Sequence, residues 1–578
     1  MPEWLDLSRY GVLLALAGII GVSGWLGVVA QRAVAKGSFL KGFFLGNRGL
    51  GVWAMALTAT VQSGGTFMGV PSLIYSFGFV VALWIGSYMI VPLTGFSFVG
   101  KRLAHLSRRT GAVTVPDLFR GRFDSPTVGL VCSLMILFFL SFMLIAQFKA
   151  GAIVMSLAWP GAAESTMTLA EDAAINLDKQ YYIGLTIFTV VVVGYTLFGG
   201  FLASVWTDLF QSVLMAIGVM ILLALSLKAV GGLENASRQS AAKLDQVAAK
   251  AKIDLAQVES EEAAGRPPQT DAEKKRYDHL KVASKFSGES FLTGPGNGRD
   301  FLPLGLACSF FVVWIWGGVS SPASVLRVMA SKDTATLRRS IVVLSIYNLF
   351  IYLPLIAICI CARSLMPDLT EPDTVVPRMA INMTADLPGG AFLSGLILAA
   401  PFGAVMATVS CYLVVLSSGL VRDVYQRFIN PEATDYEIRR MTYYAMTAIG
   451  AVALLANIYP PRFLQALVVF CTSGQTGALF APIVMACYWR RATKQGVLAA
   501  MGSGALVVLV LYGIGFSGHA QEIGPTTAFR PYFLFGLEPI VWAIAVSGIT
   551  GIVVSLKTPK PSEELVARMF DVDLAAQR

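Results

Sequence analysis

Two stretches of this 578-residue chain place Ser, Gly and Thr where an apolar helix would carry Leu or Val. One reads Ala59-Thr60-Val61-Gln62-Ser63-Gly64-Gly65-Thr66 with Pro71 after it; the other reads Trp314-Ile315-Trp316-Gly317-Gly318-Val319-Ser320-Ser321-Pro322. Backbone that leaves a helix at membrane depth persists only beside a cavity or other protein, because lipid cannot pair the freed N–H and C=O groups. Carbonyls released there are neutral oxygen donors, suited to a hard cation, and in a small cage to a monovalent one. Ala404-Val405-Met406-Ala407-Thr408-Val409-Ser410 and Ser473-Gly474-Gln475-Thr476-Gly477 are further candidates for the same chamber. Taken singly, each stretch also reads as close helix packing through small residues.

Lys149, in Gln147-Phe148-Lys149-Ala150-Gly151, lies well inside an apolar run and calls for a counter-charge or water. Three readings stand: it receives a carboxylate of the substrate, it takes the place of a cation near the core, or it snorkels to the interface. Asp208 follows Gly199-Gly200 at the predicted start of a helix, where a carboxylate caps the positive end of the dipole. The seven cysteines all fall within apolar runs with neither metal-type spacing nor a disulfide pattern. His105, His279 and His519 are scattered, so no acid–base or metal constellation is predicted, and no enzyme.

The elements that hold these residues follow from composition. With 55% hydrophobic and 14% charged residues, the chain has more apolar surface than a soluble core of its size uses. Crossing the ~30 Å hydrocarbon layer takes about 20 apolar residues. Thirteen such runs occur, near 10–30, 50–78, 79–100, 126–158, 181–198, 204–227, 303–326, 340–362, 389–420, 441–458, 461–488, 496–516 and 532–556. The alternating ten-residue strands of a membrane barrel are not visible. The first run follows Glu3 and Asp6 and has no clear cleavage site, so it reads as a retained helix.

Arginine and lysine collect in alternate loops: Arg32 to Arg48, Lys101 to Arg122, Arg327 to Arg339, Arg422 to Arg440, and Arg490 onward. By the positive-inside rule that face is cytoplasmic, which predicts an external N-terminus, a cytoplasmic C-terminus and a bacterial inner-membrane setting. The net charge of +9 is then topology, and its dispersal over separate loops argues against nucleic-acid binding. Residues 228–302 form a long charged insertion on the opposite face, with Leu244, Val247, Ala251 and Leu255 at helical spacing. It reads as a helical excursion, either a solvated decoration or an external lid.

The two interrupted spans are the second and the seventh, five apart, the arrangement of two inverted five-helix repeats that meet at a midplane site. From here the residues resemble the sodium:solute symporter family. The resemblance rests on Phe44-Leu45-Gly46-Asn47-Arg48, Gly69-Val70-Pro71, Gly199-Gly200-Phe201-Leu202-Ala203-Ser204-Val205-Trp206-Thr207-Asp208 with Gln211, and Ala404 to Thr408 leading to Leu416-Ser417-Ser418 and Arg422-Asp423-Val424-Tyr425. Tyr195 to Phe201, Met366-Pro367-Asp368-Leu369-Thr370, Ala400-Pro401 and Tyr488-Trp489 look most like the pantothenate permease branch.

That resemblance implies an all-α polytopic membrane protein with a LeuT-type 5+5 inverted-repeat core, one extra helix before it and two after. The parts would be 1–49 (first helix and loop), 50–227 (first repeat), 228–302 (insertion), 303–488 (second repeat) and 489–578 (peripheral helices and tail). It implies a sodium site formed by carbonyls of Ala59, Gln62 and Ala404 with side chains at Ala407 and Thr408. At Ala407 the family usually has Ser, so one hydroxyl is missing, which would weaken sodium binding or leave coupling to a proton or to no ion. Asp208 gains an implied role in ion release. The pocket expected beside the cation is lined by Ser63, Gly64, Gly65, Thr66, Gln147, Lys149, Trp314, Trp316 and Gln475.

The expected function is cation-coupled symport, with sodium as the ion, of a small organic solute by alternating access. The solute is expected to be an anion such as pantothenate or a monocarboxylate; the competing readings are a proton-coupled or uncoupled carrier of an amino acid or sugar and, further off, a sensor or channel. The bilayer is the other partner, no organic cofactor is expected, and nothing in the sequence sets an oligomeric state.

Overall fold

The computed structural model describes residues 10–34, 48–59, 63–81, 85–86, 89, 92–159, 171–264, 273, 277, 280–281, 284, 287–292, 303–367, 369, 371–460, 464–519 and 530–570. Among these, secondary structure is helical apart from one isolated bridge between Leu50 and Ser331. In chain order the helices are α1 (Gly11–Val34), α2 (Val52–Ala59), α3 (Val70–Phe77), α4 (Lys101–Thr110), α5 (Val115–Phe123), α6 (Pro126–Leu157), α7 (Glu171–Val230), α8 (Leu233–Ala263) and α9 (Gly288–Leu292). They continue as α10 (Leu304–Ser320), α11 (Pro322–Ala330), α12 (Thr334–Leu365), α13 (Val375–Thr384), α14 (Gly390–Ser418), α15 (Asp435–Ala456), α16 (Leu464–Tyr488), α17 (Lys494–Ile514), α18 (Pro539–Lys557) and α19 (Glu563–Phe570).

Among the described residues nine helical segments are long and apolar enough to span a membrane, and the bent pair α10–α11 makes a tenth. Of the other three expected spans, 50–78 contains the broken α2–α3 and 441–458 falls in α15, whose first turns carry Arg439, Arg440 and Tyr443, while the described part of 79–100 is chiefly the π-helical stretch Pro92–Gly100 running into α4, with 82–84, 87–88 and 90–91 outside the described residues. The fifth and sixth spans run together as α7, kinked at Gly200 (φ 56°, ψ −147°), a conformation open essentially to glycine alone.

Helix starts follow local chemistry. Thr114 accepts the Asp117 amide at the start of α5, Asp333 that of Thr336 at α12, Thr493 that of Gly496 at α17, and Thr434 forms a reciprocal box with Glu437 at α15. Helix ends on the cation-rich face are closed by arginines, whose forks meet carbonyls at or just past the last turn. Arg48 donates to Ser107 O (3.1 Å) and Ala112 O (2.9 Å), and Arg108 to Ser331 O (3.0 Å) and Lys332 O (3.1 Å). Arg122 donates to Ala486 O at 3.1 Å and Trp489 O at 3.2 Å. Arg122 and Arg327, read from the sequence as loop cations, are both 0% exposed. The reason is the same for each: a helix terminus or a carboxylate inside the protein takes the fork in place of water.

The insertion is docked. α8 lays Ala236, Ser240 and Leu244 against α12, with Ser240 Oγ donating to Ile360 O at 2.8 Å and Ser364 Oγ to Gln239 Oε1 at 2.7 Å. Farther out, Ala251 and Leu280 share a small apolar cluster with Val247, Leu255 and Val258. The returning chain is fixed by the Gly288 amide on Asp245 Oδ1 (2.8 Å) and sets the buried Phe291 against Gly78. Gly78 has φ +66°, and a Cβ there would lie 2.4 Å from Phe291 O. At the centre of the molecule, α14 packs along α1, α6 and α7 and is almost wholly enclosed.

Candidate functional site

Both predicted interruptions are present. α2 stops at Ala59, Ser63 is not helical, and the helix resumes through a π-helical turn, Gly65–Gly69, into α3. Residues 60–62 lie outside the described residues, and with them Gln62 as an expected cation ligand; for Ala59 the structure gives the backbone as the last residue of α2. In the seventh span the break falls at Ser321 (φ −66°, ψ 118°), with a 44° bend between α10 and α11. Trp314 to Ser320 stay helical, so Gly317-Gly318 is not the interruption. Pro322 sets the position, since its ring drives the preceding residue out of the helical region.

Four elements converge on the first break. The Gly64 amide donates to Gln147 Oε1 of α6 at 2.7 Å, giving an N–H exposed by the broken helix a partner from another element. Ser63 turns its hydroxyl to the Gly65 amide (3.2 Å), and Thr66 Oγ1 lies 3.3 Å from Tyr352 Oη of α12. Glycine is required by proximity: a Cβ on Gly64 would sit 2.6 Å from Ala150 Cβ and 3.3 Å from Val405 Cγ2 of α14. On Gly69 it would meet Gln465 Oε1 of α16 at 2.3 Å. Gln465 is 1% exposed, and its Oε1 and Nε2 have no hydrogen-bond partner among the described residues. Sequence reasoning passed it over, although a glutamine in the first turn of an apolar span is a visible signal.

The cation positions on α14 occupy one turn. Thr408 Oγ1 donates to Ala404 O at 2.9 Å, and Ala407 is buried beside them. Ser410, the next hydroxyl along α14, faces elsewhere: its Oγ lies 3.0 Å from Ser204 Oγ of α7. Two residues along a helix is about 200° of rotation, which takes Ser410 off the Thr408 face.

Asp208 does not cap a helix. It is 3% exposed, several residues beyond the Gly200 kink, and its Oδ2 accepts from Arg327 Nη2 of α11 at 2.6 Å and from Ser204 Oγ at 3.5 Å. The guanidinium also reaches Cys411 Sγ of α14 at 2.8 Å. A charge this deep is held by an opposite charge rather than by a dipole; stranding either partner costs about 3–5 kcal/mol. The pair ties α7 to the lower half of the second broken helix, and Arg327 was missed because it falls one residue past the predicted end of its span.

Lys149 has its counter-charge. Its Nζ lies 3.0 Å from Asp373 Oδ2, both side chains being under 10% exposed. Asp373 belongs to the short turn Pro372–Thr374 between α12 and α13, and the same oxygen accepts the Leu464 amide at 3.4 Å. Its Oδ1 is buried with no partner among the described residues. The snorkelling arrangement is therefore not the one observed.

The remaining pocket candidates divide. Trp314 is buried, whereas Trp316, two residues and so about 200° farther round α10, packs on Phe480 (4.7 Å between ring centroids) and Phe98 (6.1 Å). Gln475 is buried in α16 with Nε2 3.2 Å from Cys471 Sγ on its own helix. No group of three His, Cys, Asp or Glu side chains gathers among the described residues.

Two discontinuous helices, five spans apart and packed in one enclosed bundle, define the inverted-repeat class of secondary transporters. Residues 43–504 match the sodium:solute symporter family, and the chain belongs to it. It is 30% identical over 504 residues to a sodium/pantothenate symporter of Escherichia coli, covering 86% of this chain and 90% of that one. With the sodium/pantothenate symporter of Haemophilus influenzae it shares 27% identity, covering 91% and 94%. With the osmoregulated proline transporter OpuE of Bacillus subtilis it shares 25%, covering 94% and 95%. In fold it resembles a substrate-bound, outward-open Na+-coupled sialic acid symporter (TM-score 0.63, 17% identity, 96% of this chain and 99% of that one).

Proposed function

We infer that this protein imports a small carboxylate, of the pantothenate or monocarboxylate kind, together with sodium. The observation that carries the carboxylate is a buried ammonium two residues from Gln147, whose side chain holds the broken helix, with a counter-ion supplied by a connecting turn rather than by a spanning helix. The kinship to sodium/pantothenate symporters supports the same solute class, pantothenate being itself a carboxylate.

Sodium would be held between the end of α2 and the Ala404–Thr408 turn of α14, with Ala407 contributing no hydroxyl. Ser63 to Thr66, Gln147, Lys149, Trp314 and Gln475 are the groups nearest to hand for the solute; Trp316 serves the aromatic patch. The ion's part is to favour one arrangement of the broken helix, which requires unequal affinity for the two faces' states. The membrane potential contributes about 2.3 kcal/mol per charge per 100 mV. The cation-rich face is cytoplasmic in this reading, so the C-terminus is inside and α8 outside, in a bacterial inner membrane. The Asp208–Arg327 pair is the place where ion release would be felt by the second broken helix.

Uptake of labelled pantothenate and lactate into proteoliposomes, with sodium and proton gradients imposed separately, tests the proposal. Sodium should drive at least one carboxylate, and Lys149→Met should abolish that uptake. Uptake driven by protons alone overturns the choice of ion; unaltered affinity in Lys149→Met overturns the choice of solute.

A further inference from the structure

We propose that the pocket where Lys101 meets Arg338 and Arg339 holds the headgroup of an anionic phospholipid, whose acyl chains run along the exposed side of α12. The inference is independent of which solute and which ion the protein carries.

The pocket lies where two spans touch. Lys101 opens α4 at the end of the π-helical stretch Pro92–Gly100, and Thr334, Ala335, Arg338 and Arg339 belong to the first turns of α12. Together they line a surface pocket of about 500 Å³, within the size range of small-ligand sites. The two elements meet closely beside it, since a Cβ on Gly100 would lie 3.1 Å from Leu337 Cδ2. Most arginines of this face are already engaged by protein atoms: Arg48 and Arg108 by carbonyls, Arg327 by Asp208, and Arg422 and Arg427 by Asp117 at 3.3 and 3.0 Å. Lys101, Arg338 and Arg339 are exposed, and none of them has a hydrogen bond or an ion pair among the described residues. The carboxylate at the head of α12, Asp333, is committed to the Thr336 amide at 2.6 Å. Three positive charges therefore share one hollow without a protein anion to balance them, a field that draws an anion from outside.

Depth and shape select a lipid over a free anion. α12 runs 32 residues, Thr334–Leu365, or about 48 Å of helix against a hydrocarbon layer of about 30 Å. An upright helix of that length overshoots by about 9 Å at each end, roughly six residues, which places Thr334 to Arg339 at headgroup level. Toward the bilayer centre, Val342, Ile346, Leu349 and Leu353 are all exposed, at the three- and four-residue spacing that continues from Arg338 and Arg339 along one side of the helix. A phosphate held by the cations thus has an apolar track for its chains directly beyond it. Charge then decides among lipids. A zwitterionic headgroup brings its own ammonium to a site that already has three cations, whereas a headgroup with an unbalanced phosphate brings only the missing charge. Each basic side chain near an anionic lipid surface strengthens binding about fivefold, so three amount to about a hundredfold before salt screening. The headgroup would bridge two spans beside Lys332, whose carbonyl Arg108 holds, and so brace the same joint.

The test uses the full-length protein in neutral detergent micelles, titrated with phosphatidylglycerol, with phosphatidylcholine and with glycerophosphoglycerol, the same anionic headgroup without acyl chains. Bound lipid is read by native mass spectrometry and stability by the thermal unfolding midpoint. Phosphatidylglycerol should bind and raise the midpoint, and a variant combining Lys101→Gln, Arg338→Gln and Arg339→Gln should bind it about tenfold or more weakly at about 0.15 M salt. A control that removes three exposed charges elsewhere on the same face, Lys494→Gln with Lys557→Gln and Lys560→Gln, should leave the affinity unchanged. In the unmodified protein, phosphatidylglycerol should slow hydrogen exchange in the segment 334–339, a readout that stands even if the site variant does not fold. An equal loss in the control means a diffuse field rather than a site and overturns the proposal, as does unaltered exchange in that segment. Equal binding of phosphatidylcholine overturns the choice of an anionic lipid, and equal binding of glycerophosphoglycerol makes the pocket a site for a free phosphate ester and overturns the choice of a lipid.

Discussion

At the scale of the residue, the chemistry sits in a few side chains whose neighbours decide their role. Ala407 is buried one position before Thr408 and brings no oxygen. Ala407→Ser should restore a neutral ligand and raise the apparent sodium affinity of uptake about tenfold, equivalent to about 1.4 kcal/mol, read from the sodium dependence of transport at fixed solute. An unchanged sodium dependence would mean that position 407 does not face the ion. Lys149 and the Ser–Gly–Gly–Thr break were legible in the sequence because polarity inside an apolar run has few bland explanations. Their partners were not. Asp373 is more than two hundred residues away in a connecting turn, and Arg327 stands at a span's edge, where the hydropathy pattern cannot separate a loop cation from a buried one. Asp208 was read as a cap because the signals for a helix start and for a buried pair are the same residue type until the third dimension is supplied.

At the scale of the element, breaks and joints do the positioning. Proline fixed the bend at Ser321–Pro322, at the far end of the stretch Trp314 to Pro322 that the sequence marked, because glycines permit a break without requiring one whereas proline imposes it. Ten of the thirteen expected spans coincide with helices long and apolar enough to cross a membrane among the described residues, counting the bent pair as one, since twenty apolar residues have few other uses, whereas the packing of α8 on α12 depends on contacts that charge content hides. Gly78 ends the first broken helix with φ +66° and Phe291 directly against it. Gly78→Ala should lower the thermal unfolding midpoint, with backbone strain alone costing about 1–3 kcal/mol. Adding Phe291→Ala should recover only part of the loss, since it removes the ring but leaves the main-chain strain; full recovery would mean that the φ value is not the constraint.

At the scale of the molecule, the two broken helices are held together at one face by main-chain atoms: the Leu50 amide donates to Ala330 O at 3.3 Å and the Lys332 amide to Leu50 O at 3.2 Å. Arg108 completes the seal on Ser331 O and Lys332 O. On the other face, Tyr75 Oη donates to Met366 O and accepts the Leu369 amide at 3.1 Å, beside the Lys149–Asp373 contact. Alternating access requires these two closures to open in turn. With sodium and solute added together, amides at Leu50 and Lys332 should lose protection in the fraction of molecules that face inward; protection identical with and without ligands would speak against movement at this seam. A clasp made of peptide groups has a consequence for how such a protein can be studied and can change. Residue-by-residue alanine replacement leaves its peptide donors and acceptors in place, so of this seam a mutational survey would detect the Arg108 side chain and pass over the backbone bonds themselves. The clasp itself depends on none of the side chains at positions 50, 331 and 332, although Leu50 and Ser331 are buried for packing, and a change to proline at 50 or 332 removes the donor itself.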